Sequence, residues 1–515
     1  QDDPDAYLAA MQEVIACYDA LSGEQAALLE ATRSEEEGTY AKMVEALQES
    51  VNAPVEPEVE EEEKSGVATI GDNGHESLQA AINAAESGQT VTLLENVTEN
   101  VTVTSKTIIL DLAGKTLSGT GTGTVLTING GDVTLTGNGI ITGGAGSKHG
   151  GGVLVDNDGN FTMLNGTITG NSAEQWGGGV CVDYGTFTMN GGTITENKAL
   201  QIGGGVAVYN YLEEKSALFT MNSGTISYNE SGSGGGVGAY GWKHDVSRTV
   251  AELNGGRIEH NTVTGDGGGV AVQTANYYPN KAALHTIEIG NVAICNNTAN
   301  QGGGIYSIES IANISESTIT GNKADGSKGY GGGICAIAGT VTLVNVDITG
   351  NSAKIGGGVF AGHNSRDTSV TMTSGKLYGN TASTHSADVY CNKLTTLTLP
   401  DAASMGGSLE GEAIVGWYWD GSDPYDWHNG HITKYTSIVN RNAAFCLIAA
   451  YGSNAAKIGK TEYKTLQDAI TAAKDGETVV LLKDVTENVT ATNKTIILDL
   501  NGHKVDGDSK DTVLT

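Results

Sequence analysis

The chain has 515 residues, 74 of them Gly and only 6 Pro, with 17% charged and 6% aromatic side chains, a composition that excludes a disordered chain and demands many short turns. The formal net charge is -32, and residues 1–64 alone carry 18 acidic against 3 basic side chains. With five arginines in all, the surface offers little to phosphates, which excludes nucleic acid and anionic membranes as partners. No stretch has the length and apolarity of a membrane span, so no direct membrane insertion is expected.

The chain begins with Gln1 and lacks a charged segment followed by an apolar one, so its N-terminus reads as trimmed. Residues 1–53 read as a small helical module. Leu8, Met11, Ile15 and Tyr18 fall on one stripe and Tyr40, Met43, Val44 and Leu47 on another, the spacing of amphipathic helices. Ser22 stands three residues before Gln25, a capping box. The stretch "CYDALSGEQAALL" resembles small helical modules of Gram-positive surface proteins, in which a Tyr-x-x-Leu-Ser/Thr-x-Glu-Gln turn joins two helices. Residues 54–66, "PVEPEVEEEEKSG", combine Pro with a run of like charge and read as an extended linker.

From residue 67 the sequence repeats. Gly-Gly-Gly-Val/Ile starts at Gly150, Gly177, Gly203, Gly234, Gly267, Gly302, Gly331 and Gly356. Once per interval an aliphatic residue precedes an Asn by three positions, from Ile168/Asn171 to Leu377/Asn380. Five and seven residues before that aliphatic position comes an apolar pair around a polar residue, such as Phe187/Met189 around Thr188, which is the alternation of a strand with one buried face. Three short strands per repeat, with Gly at the corners, predict an all-β fold, a right-handed parallel β-helix solenoid over residues 67–400. The Asn residues 171, 197, 229, 261, 297, 322, 351 and 380 (Asn171, Asn197, Asn229, Asn261, Asn297, Asn322, Asn351 and Asn380) are expected to stack as a structural ladder at a left-handed corner.

A solenoid needs covered ends. Leu78, Ala81, Ile82 and Ala85 make one apolar face of a helix at 77–86, read as the N-terminal cap. Ser77–Thr127 aligns without gaps to Thr465–Thr515, so residues 455–515 read as the start of a second, duplicated β-helix, and the chain as a piece of a longer protein with several solenoids. Between them, residues 401–454 hold "GWYWDGSDPYDW", read as an aromatic plug for the rod's end in preference to a sugar-binding patch.

Function is expected where the repeat is broken. The turn after the Gly triplet is expanded in three consecutive coils, as "YNYLEEKSA", "YGWKHDVSR" and "QTANYYPNK", and again as "GHNSRDTS". Loops at one corner of successive coils share an edge, which gathers Tyr209, Tyr211, Tyr240, Trp242, His244, Tyr277 and Tyr278 into a candidate ligand-binding edge; mutual padding of the rings is the structural alternative. Catalytic residues are not expected: no paired catalytic aspartates stand on the strands, Arg248 and Arg257 have no evident carboxylate set, and Glu213, His244 and Asp245 are the one set that could form a carboxylate pair with a helper. "VDNDGN" looks like a short calcium loop but lacks the distal Glu, so it reads as a turn, and no cofactor is expected beyond Ca²⁺ there. Thr-x-Thr pairs on some strands suggest an ice-binding ladder, but Arg257, Glu259, Asp347, Lys376 and Tyr378 interrupt it. Cys17, Cys181, Cys295, Cys335, Cys391 and Cys446 are widely spaced and read as isolated thiols without a metal or disulfide framework.

The "GGGVxV" corners, the "FTMNGGTITGN"-like coils and the opening "KIGKTEYKTLQDAITAAKDGETVVLLKDV" resemble the pectate-lyase-like β-helix repeat proteins of Gram-positive gut bacteria, large surface proteins of the adhesin type. A looser likeness exists to the polymorphic membrane proteins of intracellular pathogens, whose Gly-Gly-Ala-Ile and Phe-x-x-Asn repeats are adhesive. The resemblance implies a secreted or cell-surface rod that binds a host or dietary glycan, a mucin or a host surface protein. The competing expectation is a polysaccharide lyase or glycoside hydrolase of the β-helix class.

Overall fold

The computed structural model describes residues 66–210, 216–242, 248–275, 284–363, 366–400 and 454–507, with separate positions between 12 and 48, strand segments between 405 and 451, and residues 513–514. The chain divides into two compact units, residues 1–63 and 64–515. In the first, residues 12–17 are helical. Ser22 N donates to Gln25 Oε1 at 2.9 Å and Gln25 N to Ser22 Oγ at 3.4 Å, the reciprocal pair of a capping box.

The second unit is a parallel β-solenoid of about 10 turns. Each full coil has four straight segments, where the sequence suggested three. In the coil that begins at Gly177, a front strand and a second strand run together as Val180–Met189, bent at Tyr184, whose φ is 67°. Thr193–Thr195 follows as the third strand and the two-residue Lys198–Ala199 as the fourth. That last segment buries only Ala199, too little to leave an alternating pattern in the sequence. Among the described residues, third strands stack into an 11-stranded sheet and fourth strands into a 9-stranded one.

Identical side chains stack because successive coils are in register. Val180 pairs with Val206 and Val206 with Val237, Phe187 with Phe219, and Ile194 with Ile226. The rings of Phe161, Phe187 and Phe219 lie 5.0 and 4.9 Å apart in the rod's core. The corner that opens each coil needs glycine for two reasons. Gly177 turns the chain at φ 69°, and a Cβ on Gly178 or Gly179 would sit 2.5 Å from Lys198 O or 2.6 Å from Gly205 O, closer than any side chain tolerates.

A row of buried amides runs along the rod between Gly144 and Asp388. The backbone N–H and Nδ2 of Asn171 both donate to Asn197 Oδ1 at 3.0 Å, and the pattern repeats through Asn229, Asn261, Asn297, Asn322, Asn351 and Asn380. The left-handed residue of this corner precedes the Asn rather than being it: Gly170, Glu196, Tyr228, His260, Asn296, Gly321, Gly350 and Gly379 have φ between 54° and 66°. Turning one residue earlier leaves both donors of each Asn aimed along the rod. The row begins at Gly144 N, which donates to Asn171 Oδ1 at 2.9 Å. It ends at Asp388, whose Oδ1 accepts from Asn380 N and Nδ2 at 3.2 and 2.9 Å and whose Oδ2 accepts from Ala449 N at 2.7 Å. An acceptor-only group is what the last rung requires.

Both duplicated openings fold alike. Helix Leu78–Ala84 is capped by Ser77 and buries Leu78, Ala81 and Ile82; helix Leu466–Ala472 is capped by Thr465 and buries Leu466, Ala469 and Ile470. Glu99 accepts from Leu78 N and Gln79 N as Glu487 does from Leu466 N and Gln467 N, satisfying orphan donors of the first turn. Lys106 Nζ reaches three carbonyls at the helix end and Lys494 Nζ the equivalent three. At the far end of the rod the pairing turns antiparallel, Phe445–Tyr451 against Val389–Cys391 and Glu412–Trp419. Trp417 is fully buried there in the main core with Met405 and Ile414, and its Nε1 donates to Pro400 O at 3.0 Å. Residues 420–431 of the aromatic stretch lie outside the described residues.

Candidate recognition face

The front strands alternate inward and outward, so each contributes two outer positions, and parallel register turns these into rows. Leu154, Cys181, Ala207, Gly238 and Ala271 form the first row, and Asp156, Asp183, Tyr209, Tyr240 and Gln273 the second. The residues before the Gly triplets form a third row beside them: His149, Trp176, Ile202 and Ser233 are bridged in order. The first row is made of small side chains in its middle coils, so the third row leans across it. Trp176 packs with Cys181 and Ala207 beneath Tyr209 and Tyr240.

The result is an aromatic cluster on the outside of the rod. Trp176 meets Tyr209 edge-on with centroids 3.6 Å apart, and Tyr240 at 5.3 Å and 89°. Tyr209 and Tyr240 are near-parallel at 6.4 Å and 14°. Trp176 is 7% exposed while both tyrosines are half-buried, so the indole anchors and the phenols face out. His149 lies 5.7 Å from Tyr209, ring to ring. Its Nδ1 is 3.0 Å from Asp183 Oδ2. The Trp176 Nε1 donates to Gln201 Oε1 at 3.2 Å. Asp183 Oδ1 is shielded from solvent and has no hydrogen-bond partner.

Of the residues expected at the edge, Tyr209 and Tyr240 are brought together, and Trp242 stands half-buried two positions beyond Tyr240, in register with Ala275. Tyr211, His244, Tyr277 and Tyr278, like Glu213 and Asp245, lie outside the described residues. The stems of the three expanded loops leave from one register position, Asn210 opposite Gly241 and Gly241 opposite Thr274. His149, Trp176 and Asp183 were not anticipated; the residue before each Gly triplet, read as a column, would have found the first two.

The register also sets two carboxylates side by side. Asp156 and Asp183 are partners in register on adjacent front strands, a carboxylate pair already aligned in the sequence, each six residues after the first Gly of its triplet; after it, Asn157 and Asp158, at φ 53° and 62°, form a bulge that Tyr184 alone replaces in the next coil. The "VDNDGN" stretch is that bulge. Beneath the pair, burial first, then Asp183 and Asp156, push the Cys181 thiol well above its ordinary range, so it is an inert thiol. All cysteines are free; those beyond Cys17 are buried.

The same coils depart from the repeat on another face. Glu196, Tyr228, His260 and Asn296 occupy the left-handed position that is Gly in the coils on either side, at a cost of about 1 kcal/mol each. Tyr228 is 56% exposed and stacks on His260 at 4.9 Å and 9°. Elsewhere, a cleft of about 480 Å³ near Met405 is lined by Glu316, Asn345, Asp347 and Lys376, but its polar groups bond one another, with Lys376 Nζ 2.7 Å from Asp347 and Asn345 bonded to Glu316. Among the described residues no group of three or more His, Cys, Asp or Glu is placed to hold a metal ion, and no helix is long and apolar enough to cross a membrane. Compared with protein-family models, with curated proteins and with solved structures, the chain matches none.

Proposed function

We propose that the chain is a secreted or cell-surface binding protein of the adhesin type, whose rod presents its front face and the adjoining loop edge to a host or dietary glycan, a mucin or a host surface protein. One observation carries this reading: Tyr209 and Tyr240 lie near-parallel and half-exposed on a buried Trp176, in the coils where the repeat is broken by long loops. Aromatic rings held rigid by a scaffold give contact area at low entropic cost. The concentration of departures into adjacent coils supports recognition, because a purely structural solenoid has no reason to depart from its repeat there. The test is an array of glycans and mucins probed with labelled protein and with Tyr240→Ala. Binding that the variant loses supports the reading; binding nowhere, or binding indifferent to Tyr240 and Tyr209, removes it.

A second reading is favoured by the Asp156 and Asp183 pair. Neighbouring strands stand about 4.8 Å apart, close to the carboxylate separation of retaining glycosidases, and His149 is bonded to Asp183. The same array, assayed for new reducing or unsaturated ends, separates the two: product formation abolished by Asp183→Asn would establish an enzyme.

A further inference from the structure

We propose a second binding site on the side of the rod away from the long loops, a groove along the fourth strands that takes a neutral oligosaccharide. The site is independent of the front face and holds even if that face binds nothing.

The groove has a volume of about 300 Å³, crosses three coils and is lined by residues 198–200, 230–232 and 262–264. The corner bordering it carries Glu196, Tyr228 and His260, each left-handed and two residues before the groove's first position in its coil. The long loops leave between the first and second segments of a coil, whereas this corner lies between the third and fourth. Single coils thus depart from the repeat on opposite sides: Tyr228 follows the loop of the Gly203 coil, and His260 that of the Gly234 coil.

Two independent observations mark the groove as a site. Folding alone favours Gly at this corner, as at Gly170 and Gly321, because a side chain there is strained. Tyr228 and His260 are exposed, so core burial does not offset that strain, which is the pattern of a functional position. Secondly, among the described residues of the rod, Leu200 and Tyr228 are the two most exposed large apolar side chains, at 63% and 56%. They stand at opposite ends of the groove's short strands. Exposed apolar residues are ordinary when scattered singly, and informative when two border one depression. Tyr228 rests on His260 at 4.9 Å and 9°, which steadies the ring without burying it.

The chemistry of the groove selects the ligand. Nearby charges come in pairs, Lys198 with Glu230 at 3.0 Å and Arg257 with Glu259, so they exert no net pull on a charged chain, and Glu196 turns away uronic acids. Sugar hydroxyls both donate and accept, which suits an exposed Lys–Glu pair and the hydroxyls of Thr262 and Thr264. An exposed pair contributes little to the fold, so sharing it with a ligand costs little. Tyr228 and Leu200 supply the apolar contact for the CH face of a sugar ring. An extended peptide gains less, because the fourth strands already pair with one another in their 9-stranded sheet and offer no edge along the groove for a further strand.

The experiment titrates the full chain with cello-, manno- and xylohexaose, with a polygalacturonate hexamer and with an unglycosylated mucin-type peptide rich in Ser and Thr, following the His260 ring protons by NMR. At least one neutral hexamer is expected to bind and to shift the His260 signals. Its affinity should fall about tenfold in Tyr228→Gly and in Leu200→Ser. Tyr228→Gly restores the residue of the neighbouring coils and Leu200→Ser alters an exposed side chain, so both are expected to keep the parent's melting temperature and to report on binding alone. No binding of any neutral hexamer, tighter binding of the polygalacturonate or of the bare peptide, or neutral binding untouched by both variants would overturn the site. Neutral binding that Tyr240→Ala weakens and both groove variants leave unchanged belongs to the front face and likewise overturns it. Loss in the two groove variants supports it whatever the front face does.

Discussion

Replacing Asn229 by alanine tests the amide row at its middle. Asn229 is fully buried; its Oδ1 accepts from Asn197 N and Nδ2 at 3.0 and 3.1 Å, and its Nδ2 donates to Ile194 O and Asn261 Oδ1 at 3.0 Å. Alanine removes all four bonds. Asn197 Nδ2 still has the Ile168 and Thr195 carbonyls and Asn261 Oδ1 still has Asn229 N, so the uncompensated loss falls on the Asn197 N–H. A buried donor left alone costs about 1–3 kcal/mol, and each further bond about 1 kcal/mol. The expected destabilisation is therefore about 4–6 kcal/mol, more than one hydrogen bond. In a solenoid, coils couple only to their neighbours, so the assay is denaturant unfolding followed coil by coil through hydrogen exchange. The loss should centre on the coils of Asn197, Asn229 and Asn261. A change below about 1 kcal/mol, or one spread evenly along the rod, would refute the bookkeeping.

Three further outcomes follow from the geometry. Burial raises the Asp388 carboxyl to about 6 against an ordinary 3.8, so the fold takes up a proton as the pH falls through that interval; its contribution is most favourable below 3.8 and is lost as pH rises through about 6. Asp388→Asn should thus shed this pH dependence and, by turning an N–H towards Ala449 N, weaken the antiparallel closure, seen as faster exchange of Ala449 at neutral pH. Phe219→Ala, which empties a site stacked 4.9 Å from Phe187, should cost about 3–5 kcal/mol in chemical unfolding, and a loss under about 1 kcal/mol would mean that the column collapses to fill it. Glu99→Ala frees Leu78 N and Gln79 N and should lower protection of the cap helix by about 1–3 kcal/mol, with exchange at Phe187 unchanged; an unaltered helix would place its anchoring elsewhere.

The coil frame was legible because each of its determinants recurs. Gly178, Ile194 and Asn197 each answer a constraint that every coil meets, so a period emerges without any knowledge of contacts. Tyr209 and Tyr240 were legible as departures from that period. Trp176 and His149 were not, because their role depends on leaning across Ala207 and its neighbours, a relation set by side-chain size in the adjacent row. The Asp156 and Asp183 pair was legible, since each stands six residues after the first Gly of its triplet; the one-residue difference in the turns that follow is absorbed by the bulge at Asn157 and Asp158. Asp388 was invisible because eight residues separate it from Asn380, more than the preceding rungs' three-residue signature could reveal.

The row of asparagines has a direction. Every rung gives protons to the rung after it, so its beginning needs only a backbone N–H, which Gly144 supplies, while its finish needs a side chain that accepts on both sides, which Asp388 supplies. Interior rungs are interchangeable, since each asks the same of its neighbour. A block of whole coils can therefore be copied or deleted between those two points and both termini stay valid. Rod length becomes a quantity that recombination can tune freely, separate from how the rod starts, how it stops and what it displays on its sides.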